Sequence, residues 1–175
     1  MISILDIANL LYYFVFLSLL IVGFAYDLKF RLIPDFVSYG ILLLGLFRIG
    51  VVFFKGGDYG MAGGMSLSPS YDLFAVIGVA LAFGSLWFFS KGNAMGFGDV
   101  KLASALTAFL GFPKAFVALL LAFWIGSIFG IALMASQNAS LKTEVPFGPF
   151  LVIGALLGLL WGADLITYYL SFSLF

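Results

Sequence analysis

Long apolar stretches, each near the length of a bilayer crossing, follow one another along this chain and are separated by short polar or glycine-rich breaks. A spanning helix needs about 20 predominantly apolar residues. By that measure the pattern predicts helices at about 3–26, 36–54, 71–90, 99–112, 114–136 and 147–172. The expected fold is therefore all-α: a polytopic membrane helical bundle of about six transmembrane helices, forming one domain over 1–175. The segment 99–112 is the shortest, and only shielding by its neighbours lets a short or re-entrant piece sit at membrane depth. The first run, from Ile7 to Ala25, exceeds the ~7–15 apolar residues of a signal peptide and is preceded by Asp6 rather than a basic residue. It reads as a retained span.

Three connections, 27–35, 91–98 and 137–146, fall on one side of the predicted bundle. With their helix ends they hold Lys29, Arg31, Lys91, Lys101 and Lys142, against Lys55, Lys114 and Arg48 for the other side. The excess of basic residues places the first set in the cytoplasm and both termini outside. The outward connection 55–70, rich in Gly, Ser and Met, reads as a flexible link without demanding chemistry.

Composition then removes whole classes of function. The chain is 64% hydrophobic and 9% charged, with eight basic and eight acidic residues, so lipid solvates most of its surface and no room remains for a separate soluble domain. The zero net charge gives no sign of a nucleic-acid partner. There is no cysteine and no histidine. That excludes a thiolate nucleophile, a Ser-His-Asp triad and the His- or Cys-based metal sites. No cofactor or metal is expected. Acid–base chemistry is left to carboxylates, lysine and tyrosine.

Among the acids, Asp27 and Asp99 stand out. An ionisable group at membrane depth costs about 2.5–3.5 kcal/mol at a helix centre and is a functional candidate by default. Two predicted spans separate them, so both reach the same membrane face, as does the string Pro146-Phe147-Gly148-Pro149-Phe150. Two carboxylates within a few ångströms share a proton and supply an acid and a base together. Such a pair activates water against a peptide carbonyl without histidine or metal. Gly96 and Gly98 permit close approach of backbone to Asp99, and Pro146 and Pro149 stiffen the entrance to the last span. The bland alternatives are an interfacial Asp27 paired with Lys29 or Arg31, and an Asp99 that caps its helix and is neutralised by Lys101. Lys101 has two readings, a snorkelling interfacial cation or a group that tunes the pair. Pro146, Phe147, Gly148 and Pro149 either redirect a helix or contact substrate. Asp6, Asp72 and Asp164 read as outward caps or anchors, with Arg48 snorkelling outward or neutralising one of them. The 22 phenylalanines and eight tyrosines read as lipid-facing bulk and interfacial belt.

Tyr26-Asp27, Ile33-Pro34-Asp35, Gly96-Phe97-Gly98-Asp99-Val100-Lys101-Leu102 and Pro146-Phe147-Gly148-Pro149-Phe150 follow in order over nearly the whole chain. Together they resemble the signatures of the type IV prepilin peptidases and archaeal preflagellin peptidases, which are Gly-x-Gly-Asp membrane aspartyl proteases. The resemblance implies catalytic aspartates at Asp27 and Asp99, near the cytoplasmic face of the cell membrane. It also implies removal of short basic leaders from pilin-like, pseudopilin or archaellin precursors. Larger bacterial members carry an additional cytoplasmic region with Cys-x-x-Cys strings, absent here, so a peptidase without N-methyltransferase activity is expected. Many relatives have Asn where this chain has Asp35. This extra acid reads as a cap of the second helix or a contact for leader charge, with a catalytic role as the alternative. Competing functions are a presenilin-like intramembrane protease, a proton-coupled transporter or channel, and a structural assembly protein. A transporter requires charges strung across the membrane, whereas the acids singled out here cluster at one face.

Overall fold

The computed structural model describes residues 4–55, 69–92, 95–135 and 145–173. Six helices account for nearly all of them: α1 (Ile4–Phe30), α2 (Asp35–Lys55), α3 (Pro69–Ser90), α4 (Phe97–Leu110), α5 (Lys114–Ala135) and α6 (Gly148–Ser173). Among the described residues there is no strand. Five segments are long and apolar enough to cross a membrane: Leu5–Phe30, Asp35–Phe54, Pro69–Ser90, Lys114–Ala135 and Gly148–Phe172. The outward connection over 56–68, and Lys142 with most of its connection, lie outside the described residues.

The sixth helix, α4, differs from these five. It has 14 residues, ten of them buried, and packs against α2, α3, α5 and α6. At about 1.5 Å per residue it is about 21 Å long, short of a ~30 Å hydrocarbon core. The longer helices shield it, so its ends need no direct contact with lipid. Phe109 fixes its far end against α1, stacking on Phe16 with centroids 3.6 Å apart and on Tyr12 at 5.1 Å. Small residues let the other backbones close in. A Cβ at Gly45 would lie 2.5 Å from the Ala108 backbone, and one at Gly158 would lie 2.6 Å from the Ala118 Cβ. Close backbone approach of this kind drives helix association where lipid is as apolar as the side chains. Large apolar side chains such as Phe14, Ile21, Phe74, Leu81, Phe89 and Ile128 face outward.

Two expectations are revised. Helix α1 runs to Phe30 rather than ending near residue 26, and the connection predicted as 27–35 shortens to 31–34. Its end comes where Arg31 adopts a left-handed φ of 54° and donates its N–H to the Asp27 carbonyl at 2.8 Å. Asp27 thus belongs to the last helical turn. Arg48 and Asp72 are not interfacial groups either. They form a fully buried ion pair, with Arg48 Nη2 2.6 Å from Asp72 Oδ2. Asp72 Oδ1 also accepts the Phe112 N–H at 2.7 Å, binding the turn after α4 to α3. Of the two sequence readings for Arg48, neutralisation of a carboxylate is the one that holds.

Candidate active site

The last turn of α1, the first turns of α2, α4 and α6, and the connection between α1 and α2 meet at one end of the bundle. Asp27 is 4% exposed there. The Gly148 backbone amide donates to its carboxylate, while Asp27 Oδ2 is buried without a hydrogen-bond partner. The fit at this point is close. A Cβ on Gly148 would overlap Asp27 Oδ2 and lie 3.0 Å from Asp27 Cγ. Glycine is needed here for space, because any side chain would push the carboxylate aside.

Asp99 is in the first turn of α4 and 8% exposed. Its Oδ2 accepts the Gly96 N–H at 3.2 Å, one half of a capping box. The helix-cap reading therefore describes a real contact, although the cation assigned to it is elsewhere: Lys101 pairs with Asp35. The charge of Asp27 acts on Asp99, so the two carboxylates lie within electrostatic reach. Asp27 forms no ion pair with Lys29 or Arg31 among the described residues.

Ile33 is the piece that sequence reasoning passed over. A Cβ on Gly98 would sit 3.3 Å from Ile33 Cβ, and one on Gly148 would sit 3.2 Å from Ile33 Cδ1. One aliphatic side chain thus wedges between the Gly96–Gly98 string and the head of α6. The signal available was its place directly before Pro34 in a connection between two acid-bearing helices.

The remaining candidates divide by position. Pro149 is buried in the first turn of α6, where proline's missing N–H is no loss. Phe147 is half-buried and packs on Phe123 of α5, with centroids 5.1 Å apart. Pro146 precedes the helix and is half-buried. Asp35 opens α2 with a largely exposed side chain, and Lys101 Nζ, held by it, also lies 5.1 Å from the Phe97 ring centroid. Asp6 and Asp164 are exposed, away from these acids. Among the described residues no three His, Cys, Asp or Glu side chains gather at metal-binding distance. The chemistry at hand is that of two buried acids, one with an uncommitted oxygen.

Known sequences resemble this chain over most of its length. Residues 14–131 match the type IV leader peptidase family. The chain belongs to this family. The match spans Asp27, all of α2, α3 and α4, and stops within α5, before Pro146. A prepilin leader peptidase/N-methyltransferase of Aeromonas salmonicida is 32% identical over 148 residues, covering 83% of this chain and 47% of that protein. The protein of that description from Legionella pneumophila is 31% identical over 153 residues, 83% of this chain and 48% of its own. The one from Pseudomonas aeruginosa is 31% identical over 150 residues, covering 84% and 48%. The chain spans about half the length of the curated relatives it matches. No solved structure matches it. For the type IV leader peptidase family, then, this chain supplies a helical membrane architecture with two acids at one end.

Proposed function

We propose that this protein is a membrane aspartyl endopeptidase that removes the leader from pilin-like precursors, pseudopilins and archaellins included, at the cytoplasmic face of the cell membrane. The observation that carries this reading is the convergence of two buried carboxylates, Asp27 and Asp99, from separate helices on one end of the bundle, where Ile33 lies against both Gly98 and Gly148. One acid is ionised and takes a proton from water as the water oxygen attacks the peptide carbonyl carbon. The other, protonated, hydrogen-bonds to the carbonyl oxygen and stabilises the charge that develops there. A proton then passes to the amide nitrogen, the C–N bond breaks, and the products are a leader carboxylate and a free amine on the shortened precursor. The Gly148 and Gly96 amides hold the two acids in position through the cycle. The excess of basic residues on the connections at this end of the bundle supports the cytoplasmic placement. The activity expected of this chain is peptidase without N-methyltransferase.

Co-expression with a pilin-type precursor tests the reading. The expected product is a precursor shortened at a single bond, read by intact mass. A correctly inserted chain that leaves every pilin-type precursor unshortened overturns it. A second measurement probes the geometry. Gly148→Ala is expected to lower kcat/KM for shortening about 100-fold, because the added carbon must displace the Asp27 carboxylate and misplacement by about 1 Å has effects of that size. Retention of full activity by that variant would remove Gly148 from the site.

A further inference from the structure

The two acids, as they stand, are closed to a peptide. Asp27 is 4% exposed and Asp99 is 8% exposed. A catalytic acid or base acts within about 2.6–3.2 Å of the proton it moves, or through one water. A peptide bond comes that close to both carboxylates only if something lying over them moves aside. Among the described residues, three pieces of chain border the site: the head of α6, the first turn of α4 and the connection 31–34.

Two of the three are tied down. Gly148, at the head of α6, donates its amide to the Asp27 carboxylate and fits against it with no room for a Cβ. The first turn of α4 is closed by the Gly96 N–H on Asp99 Oδ2, and Asp99 and Val100 are buried in it. The connection is held far more loosely. The Arg31 N–H reaches the Asp27 carbonyl and the Pro34 carbonyl takes the Val37 N–H. Between them, among the described residues, Leu32 and Ile33 make no backbone hydrogen bond. Leu32 is exposed and Ile33 is half-buried. Yet the Ile33 side chain stands against Gly98 on one side and Gly148 on the other, with Cδ1 beside the Asp27 carboxylate. The ends of the connection have the form of pivots. Arg31 has a φ of 54°, sparsely used by residues other than glycine, and proline fixes φ at residue 34. Loops that open active sites swing on a few such element-terminal residues. We propose that the connection 31–34 is a gate: Ile33 fills the space between Gly98 and Gly148 in the idle enzyme, and the precursor displaces it to bring its peptide bond to Asp27 and Asp99. While the gate is shut, an aliphatic side chain keeps water from the acids. The inference rests on the leader-peptidase reading and says how that site is entered.

The chain has no cysteine, so pairs of cysteines can be introduced without interference. A Cβ on Gly98 would lie 3.3 Å from Ile33 Cβ, close to the ~3.8 Å separation in a disulfide. The test uses the full chain carrying Ile33→Cys and Gly98→Cys with a pilin-type precursor. Oxidation is expected to lower kcat/KM at least about 100-fold against the same variant reduced, because a chain pinned shut has almost no competent population. A second measurement reads the movement itself. Spin labels on Leu32→Cys and Phe89→Cys, both exposed positions, are placed in an Asp99→Asn chain. The distance between them should shift by more than about 2 Å when precursor binds. An oxidised chain as active as the reduced one overturns the gate. So does a label distance that precursor leaves unchanged, whatever oxidation does, since the loss then comes from a distorted α4. If the reduced double variant shortens nothing, the label distance alone decides. If the wild type shortens no precursor, the leader-peptidase reading falls and the gate falls with it.

Discussion

Asp27→Asn and Asp99→Asn should each reduce precursor shortening by about 1,000-fold or more, with the protein still inserted and folded. Asparagine keeps the size of each side chain and an oxygen for the Gly148 or Gly96 amide. What it removes is the exchangeable proton, and with it the division of labour between acid and base. The two losses should not add in the double variant, because each single change already stops the same step. Asp35→Asn, made in parallel, should keep most of the activity. Asp35 is exposed, and its contact is an ion pair with Lys101 on the far side of the first turn of α4. Intact-mass measurement of the co-expressed precursor reads all three. Normal shortening by both Asp27→Asn and Asp99→Asn would end the aspartyl mechanism, and complete loss in Asp35→Asn would move that residue into the pair.

Arg48→Met should have the largest effect on stability. Both partners of the Arg48–Asp72 pair are fully buried. Removing the cation leaves an uncompensated carboxylate in the interior, typically a loss of about 3–5 kcal/mol. In detergent that corresponds to a midpoint lower by about 6–20 °C for a chain of this size. Arg48→Met combined with Asp72→Asn should recover at least half of the loss. The asparagine carries no charge and still accepts the Phe112 N–H, a bond that holds the turn after α4 in place. Thermal unfolding followed by tryptophan fluorescence decides between these outcomes. A single variant that melts with the wild type would mean the pair contributes little.

Much of this site was legible before any coordinates. The parity of crossings brought Asp27 and Asp99 to one end, and the absence of histidine and cysteine left carboxylates, lysine and tyrosine as the candidate acid–base groups. The end of α1 was not legible, because Asp27, Lys29 and Arg31 resemble a polar boundary. The helix runs through the first two and stops only at the left-handed φ of Arg31, without a glycine or proline to announce it. The place of Ile33 was equally hidden. It depends on what neighbouring helices present to it, and periodicity within one helix carries no such information. Arg48 and Asp72 were visible as charges within apolar runs, but their burial follows from the central position of α4, which its short length only hinted at.

That short helix bears on how the protein meets membranes of different thickness. Aspartates close it at both ends: Asp99 takes the Gly96 amide at one, and Asp72 takes the Phe112 amide just beyond the other. A helix so terminated cannot lengthen, and its ~21 Å fall about 9 Å short of the ~30 Å hydrocarbon layer. When the bilayer thickens, the five longer helices can tilt or stretch to meet it, whereas α4 stays as it is. The strain of a poorly matched membrane is then borne by the joints between α4 and its neighbours, and Asp99 sits at the end of α4 where those joints begin.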